Sequence, residues 1–117
     1  MKLESDDGGF VEPKRILPEQ SRAARGLLGW SQTDLANRAG VTLSTVKNYE
    51  VGRSRPIRLS MKAMENALVD AGIRFINDRD DGNRYSVGVY LVWEINGNNE
   101  DRAEMPQRII RASEDMK

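Results

Sequence analysis

Apolar residues recur at helical spacing through much of the chain before residue 72, in stretches that are separated by glycines and polar residues. In the first stretch, Ala24, Leu27 and Leu28 lie three or four residues apart, between Pro18 and Gly29. Side chains at this spacing share one face of an α-helix. The pattern therefore predicts a helix that begins near Pro18 and ends at Gly29.

The second stretch carries signals for both ends of a helix. Ser31 followed by Asp34 resembles a capping box, in which each side chain binds a free backbone amide of the other residue. Gly40 is suited to the left-handed conformation that ends helices. The predicted apolar face consists of Leu35, Ala36 and Ala39, and Trp30 before it is a predicted core residue.

Two further helices are predicted before the pattern changes. Thr42 is the expected cap of a helix over residues 43–51, with Val46 and Tyr49 facing inward and Gly52 ending it. Ser60 is the expected cap of a fourth helix that ends at Gly72. Its predicted core face consists of Met61, Met64, Leu68 and Ala71.

After Gly72 the pattern changes to one typical of β-structure. Residues 73–76 form a predicted short strand, residues 78–83 a polar turn, and residues 85–95 a second region rich in β-branched and aromatic residues. The chain thus divides into a flexible arm (1–17), a helical domain (18–72), a β-element (73–99) and a charged tail (100–117).

Residues 32–52 fit the requirements of a helix-turn-helix. Two helices that cross steeply through a short turn need a small residue at the crossing, a glycine-like turn residue and a branched residue that locks the contact. Counting Gln32 as the first position, Ala36 is fifth, Gly40 ninth and Val46 fifteenth. Each of these positions holds the type of residue that the motif needs.

In these positions the sequence resembles the lambda-repressor/Cro-like (XRE) family of regulators. The resemblance covers residues 18–76 and is carried by Trp30-Ser31-Gln32, Asp34-Leu35-Ala36, Ala39-Gly40-Val41, Thr45-Val46, Tyr49-Glu50 and Gly52-Arg53. It implies a mainly α fold, a four-helix domain that binds operator DNA, commonly as a dimer. The chain departs from the family after the fourth helix, where a small C-terminal antiparallel β-element takes the place of a fifth helix.

The expected DNA-contacting residues lie on the second and third helices and just beyond them. They are Gln32, Thr42, Leu43, Ser44, Thr45, Lys47, Asn48, Arg53 and Arg55. Gln32, at a helix amino end, is suited to hold a phosphate. Asn48 is suited to pair with adenine, Lys47 to donate to guanine or a phosphate, and Leu43 to contact a thymine methyl group. Arg53 and Arg55 are expected to bind backbone phosphates.

Charge is distributed in a way that favours a polyanionic partner. The net charge of the chain is zero, but residues 13–62 contain ten basic and three acidic side chains, a net of +7. The chain contains no cysteine and no histidine, which excludes thiolate or imidazole metal ligands and a Ser-His-Asp triad. We therefore expect a cytoplasmic DNA-binding protein with no catalytic site, no metal and no cofactor.

Two regulatory roles fit these observations, and the first of them is the one that we expect. One is a homodimeric repressor or autoregulator that binds double-stranded DNA. The other is an antitoxin that represses its own operon and binds a toxin through residues 85–95, which are apolar on both faces. An enzyme or an RNA-binding protein is disfavoured, since the sequence lacks the motifs of either class.

Overall fold

The computed structural model describes residues 16–80 and 82–93. Its elements are α1 (Pro18–Leu28), α2 (Gln32–Ala39), α3 (Leu43–Glu50), α4 (Arg58–Asp70), β1 (Ile73–Arg79) and β2 (Tyr85–Leu91). Four helices are followed by a two-stranded antiparallel sheet in which Ile73 pairs with Leu91 and Arg79 with Tyr85. The predicted fold class, mainly α with a small β-element, is confirmed.

Local signals set the ends of α2 as expected. Ser31 Oγ accepts a hydrogen bond from the Asp34 amide at 3.0 Å, and Asp34 Oδ2 accepts one from the Ser31 amide at 2.9 Å. Gly40 caps the other end with a φ of 74°. The capping box and the glycine stop are confirmed.

The predicted start of the fourth helix was wrong. Ser60 is not its cap, because α4 begins at Arg58 with Ile57 as an N-cap that makes no side-chain hydrogen bond. Ile57 follows Pro56 and adopts an extended conformation, so the chain can turn into the helix directly after it. The other end is close to the prediction, since Asp70 is the last helical residue and Ala71 the cap.

One hydrophobic core joins the four helices. Leu35 and Ala36 of α2, Val46 of α3, and Met64 and Leu68 of α4 are all buried. Ala36 supplies the small side chain that lets α3 cross α2 closely. The core also contains Ile16, which the sequence placed in the flexible arm. Residues 1–15 and the tail at 100–117 lie outside the described residues.

The β-hairpin packs on the same core. Ile73 is fully buried, and Phe75, Val89 and Leu91 pack against the buried cluster. The first strand is longer than the predicted 73–76, because β1 continues to Arg79. The second is shorter than the predicted 85–95, because β2 ends at Leu91. The hairpin is therefore attached to the helices by its inner face.

A buried polar residue ties the hairpin to α1. The Gln20 side chain is 2% exposed, and its Nε2 lies 3.1 Å from the carbonyl oxygen of Ile76 and 2.9 Å from that of Gly88. It also donates to Oδ1 of Asn77, while its own Oε1 accepts from the Leu17 amide at 3.0 Å. Each polar atom of this buried amide has a hydrogen-bond partner, so its burial leaves no unsatisfied polar group.

Candidate nucleic-acid interface

Helix α3 presents one buried and one exposed face. Val46 and Tyr49 point into the core, and the Tyr49 hydroxyl donates to the carbonyl of Ile16. Ser44 and Lys47 are exposed, and Leu43 is 36% exposed. These three predicted outward residues are therefore accessible, while the fourth, Asn48, is half-buried.

The amino end of α3 is closed by two threonines. Thr42 Oγ1 accepts from the Thr45 amide at 3.1 Å, and the two hydroxyl oxygens are 2.9 Å apart. Thr42 is thus the N-cap that the sequence predicted. Because each hydroxyl keeps further bonding capacity, the cap does not conflict with a contact to DNA.

The carboxyl end of α3 is joined to the loop that follows it. Arg53 Nη1 donates to Oδ1 of Asn48 at 3.0 Å, and the Arg53 amide donates to the Asn48 carbonyl at 2.8 Å. The structure therefore brings together two predicted site residues that were assigned separate roles. Arg55, two residues further on, is exposed.

Gln32 stands at the first position of α2 and is half-buried. Its Nε2 donates to Oε1 of Glu50 at 3.1 Å. One amide hydrogen is therefore engaged inside the protein, while the other hydrogen and the carbonyl oxygen make no hydrogen bond within residues 16–80 and 82–93. This bond links the start of α2 to the end of α3.

Glu50 is the centre of a buried polar cluster that the sequence analysis missed. Its side chain is 1% exposed and accepts from Ser21 Oγ at 2.5 Å, from Arg25 Nε at 3.0 Å and from Arg25 Nη2 at 2.7 Å. Arg22 donates to the Glu50 carbonyl. The sequence signal that could have revealed this cluster is the position of Glu50 on the inward face of α3, one turn after Val46.

The surroundings of Glu50 act on its pKa in opposite directions. Burial raises the pKa, but hydrogen bonds from Arg25, Ser21 and Gln32, together with the positive charge of Arg25, outweigh it. The net result is a pKa below the usual value for glutamate. The carboxylate is thus charged and fully hydrogen-bonded where α1, α2 and α3 meet.

Trp30 is half-buried and packs against the core, as predicted. Its ring is covered by Arg38, whose guanidinium carbon lies 4.7 Å from the ring centroid. Such a cation–π contact explains the position of Trp30 without a ligand.

No helix among residues 16–80 and 82–93 is long and apolar enough to span a membrane. Within the same ranges, no group of acidic side chains is arranged to hold a metal ion.

Comparison with known proteins relates the helical part of the chain to a family of helix-turn-helix proteins. Residues 22–68 match the sequence model of the family described as Helix-turn-helix, which covers α2, α3 and most of α1 and α4. The chain is also similar to Multiprotein-bridging factor 1 of Eremothecium gossypii, with 37% identity over 62 residues. The matched stretch is 50% of this chain and 41% of that relative.

Proposed function

We propose that the protein is a repressor or autoregulator of transcription that binds specific operator sequences. The premise is that residues 22–68 form a helix-turn-helix domain of the lambda-repressor-like (XRE) family of DNA-binding regulators. In this proposal α3 enters the major groove and reads base edges. The single observation that supports it best is the exposed face of α3, which carries Lys47 beside Leu43 and Ser44.

The proposed arrangement of contacts follows from the two ends of the motif. At the start of α2, the second amide hydrogen of the Gln32 side chain and the backbone amides of Gln32 and Thr33 bind a phosphate, since the Asp34 amide already donates to Ser31. At the end of α3, the exposed side chains of Arg53 and Arg55 add positive charge along the backbone. Thr42, Ser44 and Thr45 lie between these anchors, at the amino end of the reading helix.

The first prediction concerns the salt dependence of DNA binding. With on the order of six phosphate contacts per dimer, the logarithm of affinity should fall against the logarithm of salt concentration with a slope of about −5. The measurement is fluorescence anisotropy on a duplex selected from a random pool, repeated over a salt series. An affinity that does not change with salt would contradict a complex anchored on phosphates.

The second prediction separates reading residues from anchoring residues. Lys47→Ala and Asn48→Ala should each cost about 1–3 kcal/mol on the selected site and relax its sequence preference. Gln32→Ala should weaken all duplexes about equally. The exposed Lys62 of α4 offers a control, because Lys62→Ala removes the same charge outside the motif. Unchanged preference in both Lys47→Ala and Asn48→Ala would mean that another surface reads the bases.

The proposal includes a homodimer that uses the hairpin. One recognition helix covers only a few base pairs, so two half-sites require two copies. Tyr90 is 49% exposed, and Val92 and Trp93, directly after β2, are each 36% exposed. These apolar side chains lie outside the core contact of the hairpin, and a second copy would cover them.

The third prediction tests this contact with point variants of the full chain. Tyr90→Ser and Trp93→Ser should each weaken dimerisation by about tenfold or more, measured by analytical ultracentrifugation. Truncation after Asn77 is unsuitable, because it removes Val89 and Leu91 from the core. Leu59→Ser is the matched control, since Leu59 is 77% exposed on α4.

A monomeric wild-type chain at micromolar concentration would contradict the homodimer and favour the second candidate function. In that candidate the same apolar residues bind a different protein, as in an antitoxin. The name of the fungal relative, a bridging factor for several proteins, agrees with such a role. Co-expression with the product of a neighbouring gene, followed by isolation of a stable complex, would distinguish the two.

A further inference from the structure

The amino end of α2 is linked to the carboxyl end of α3 through Arg25 of α1. Arg25 Nη1 donates to the carbonyl oxygen of Trp30 at 3.1 Å, and Trp30 directly precedes Ser31, the N-cap of α2. The same guanidinium donates through Nε and Nη2 to the two carboxylate oxygens of Glu50, at 3.0 and 2.7 Å. One planar group therefore binds the start of α2 and the last residue of α3 at the same time.

Glu50 adds a second link, which ends on the side chain of Gln32. Its Oε1 accepts from Arg25 Nη2 and also from Gln32 Nε2, which is 3.1 Å away. The lowered pKa of Glu50 keeps its carboxylate ionised at neutral pH, and an ionised carboxylate can only accept hydrogen bonds. The nitrogen of the Gln32 amide must therefore be the atom that faces Glu50, so the bond fixes which way this amide is turned.

A phosphate contact at this end of α2 needs several donors in the right places together. In the proposed complex, the backbone amides of Gln32 and Thr33 and the Gln32 side chain bind one phosphate. An unconstrained glutamine side chain has to be ordered on binding, which lowers affinity by about two- to tenfold. Gln32 is half-buried and already bonded to Glu50, so much of this ordering takes place when the protein folds.

We infer that Arg25 and Glu50 are positioning residues for DNA binding, which hold the Gln32 amide and the start of α2 in the geometry that binds phosphate. Neither residue contacts DNA itself, since Glu50 is 1% exposed and each of the three side-chain nitrogens of Arg25 donates inside the protein. This inference rests on the proposed function, in which the start of α2 is a phosphate anchor. It gives the buried pair a role in binding besides its role in stability.

The experiment compares the wild type with Gln32→Ala, with Arg25→Met/Glu50→Leu and with the triple variant. Binding to the selected duplex is measured by fluorescence anisotropy, at a temperature at which circular dichroism shows each protein to be folded. The double variant removes one positive and one negative charge, so the net charge stays the same. It should bind about two- to tenfold more weakly per half-site with an unchanged salt slope. The loss in the triple variant should be smaller than the product of the two separate losses, because both act on one contact.

The matched control is Lys62→Met/Glu65→Leu, which removes the same two charges on α4. Its effect should multiply with that of Gln32→Ala, since the two sites are independent. If the losses from Arg25→Met/Glu50→Leu and Gln32→Ala multiply as well, the inference is overturned and the proposed function stands. A reduced salt slope in that double variant has the same consequence, because Arg25 would then bind a phosphate directly. A wild type that binds no duplex would overturn the proposed function, and this inference with it.

A second measurement uses the wild type alone, so it does not depend on any variant being folded. NMR relaxation gives the order parameter of side-chain amide groups on the picosecond-to-nanosecond timescale. We expect a value of about 0.8 for Gln32 Nε2 in the free protein, and a value below about 0.6 for the exposed Asn37 of the same helix. A Gln32 amide that is as mobile as that of Asn37 would overturn the inference.

Discussion

Replacing Glu50 with alanine is expected to lower the free energy of unfolding by about 3–5 kcal/mol. The substitution leaves the Arg25 guanidinium, whose side chain is only 18% exposed, without its carboxylate partner. It also removes the acceptor for Ser21 and Gln32. The measurement is denaturant-induced unfolding at neutral pH, followed by circular dichroism.

Two further variants show whether this loss comes from the unpaired charge. Glu19→Gln, on the exposed surface of α1, should change stability by less than about 0.5 kcal/mol. The double variant Arg25→Met/Glu50→Leu should recover much of the stability lost in Glu50→Ala, since no buried charge remains unpaired. A small effect of Glu50→Ala would mean that the buried ion pair does not hold the three helices together.

The pH dependence of stability follows from the lowered pKa of Glu50. Because the folded-state pKa lies below that of the unfolded chain, the contribution of the carboxylate is fully present above the unfolded pKa. It is lost as the pH falls through the folded-state pKa. The stability difference between the wild type and Glu50→Gln should therefore narrow on acidification, and a constant difference from neutral to acidic pH would argue against this contribution.

A methyl group added at Gly72 is expected to destabilise the fold by roughly 2–4 kcal/mol. Gly72 has a φ of 106°, a conformation that residues with a side chain rarely adopt. A Cβ atom there would lie 2.6 Å from the carbonyl oxygen of Val92. The strands cannot simply move apart, because the Val92 amide donates to the Gly72 carbonyl at 2.8 Å.

The control for Gly72→Ala is the same substitution at Gly26. Gly26 lies inside α1, and an added Cβ would meet no atom within 4 Å. Gly26→Ala should raise stability by about 0.5–1 kcal/mol, since alanine favours the helical conformation. Thermal unfolding of both variants and the wild type gives the comparison. Equal stability of Gly72→Ala and the wild type would show that the approach of Val92 is not as close as described.

The helices could be predicted because their signals are local. The bonds between Ser31 and Asp34 span three residues, and the left-handed residue at Gly40 directly follows α2. Such interactions form whenever the backbone turns into a helix, whatever packs around it. The start of α4 lacked a signal of this kind, since its N-cap Ile57 makes no side-chain bond, and the prediction of Ser60 failed there.

In the candidate site, too, the features with a local sequence signal could be predicted and the others could not. Periodicity alone predicted that Val46 and Tyr49 face inward and that Ser44 and Lys47 face outward, as they do. It did not predict the bond between Arg53 and Asn48, which depends on how the chain reverses at Gly52. Whether this bond forms depends on the path of the backbone after α3 as well as on the residue types.

By itself the sequence determined the four helices, the helix-turn-helix and the outward face of α3, because hydrophobic periodicity and caps act within one or two turns. Only the tertiary structure decided which distant side chains meet. Glu50 forms hydrogen bonds with side chains that lie 18 to 29 residues away in the sequence. Gln20 forms hydrogen bonds with the hairpin, 56 to 68 residues further along the chain. Those contacts exist because helices and hairpin close over one core, and local patterns such as periodicity and caps do not reveal which distant residues that closure brings together.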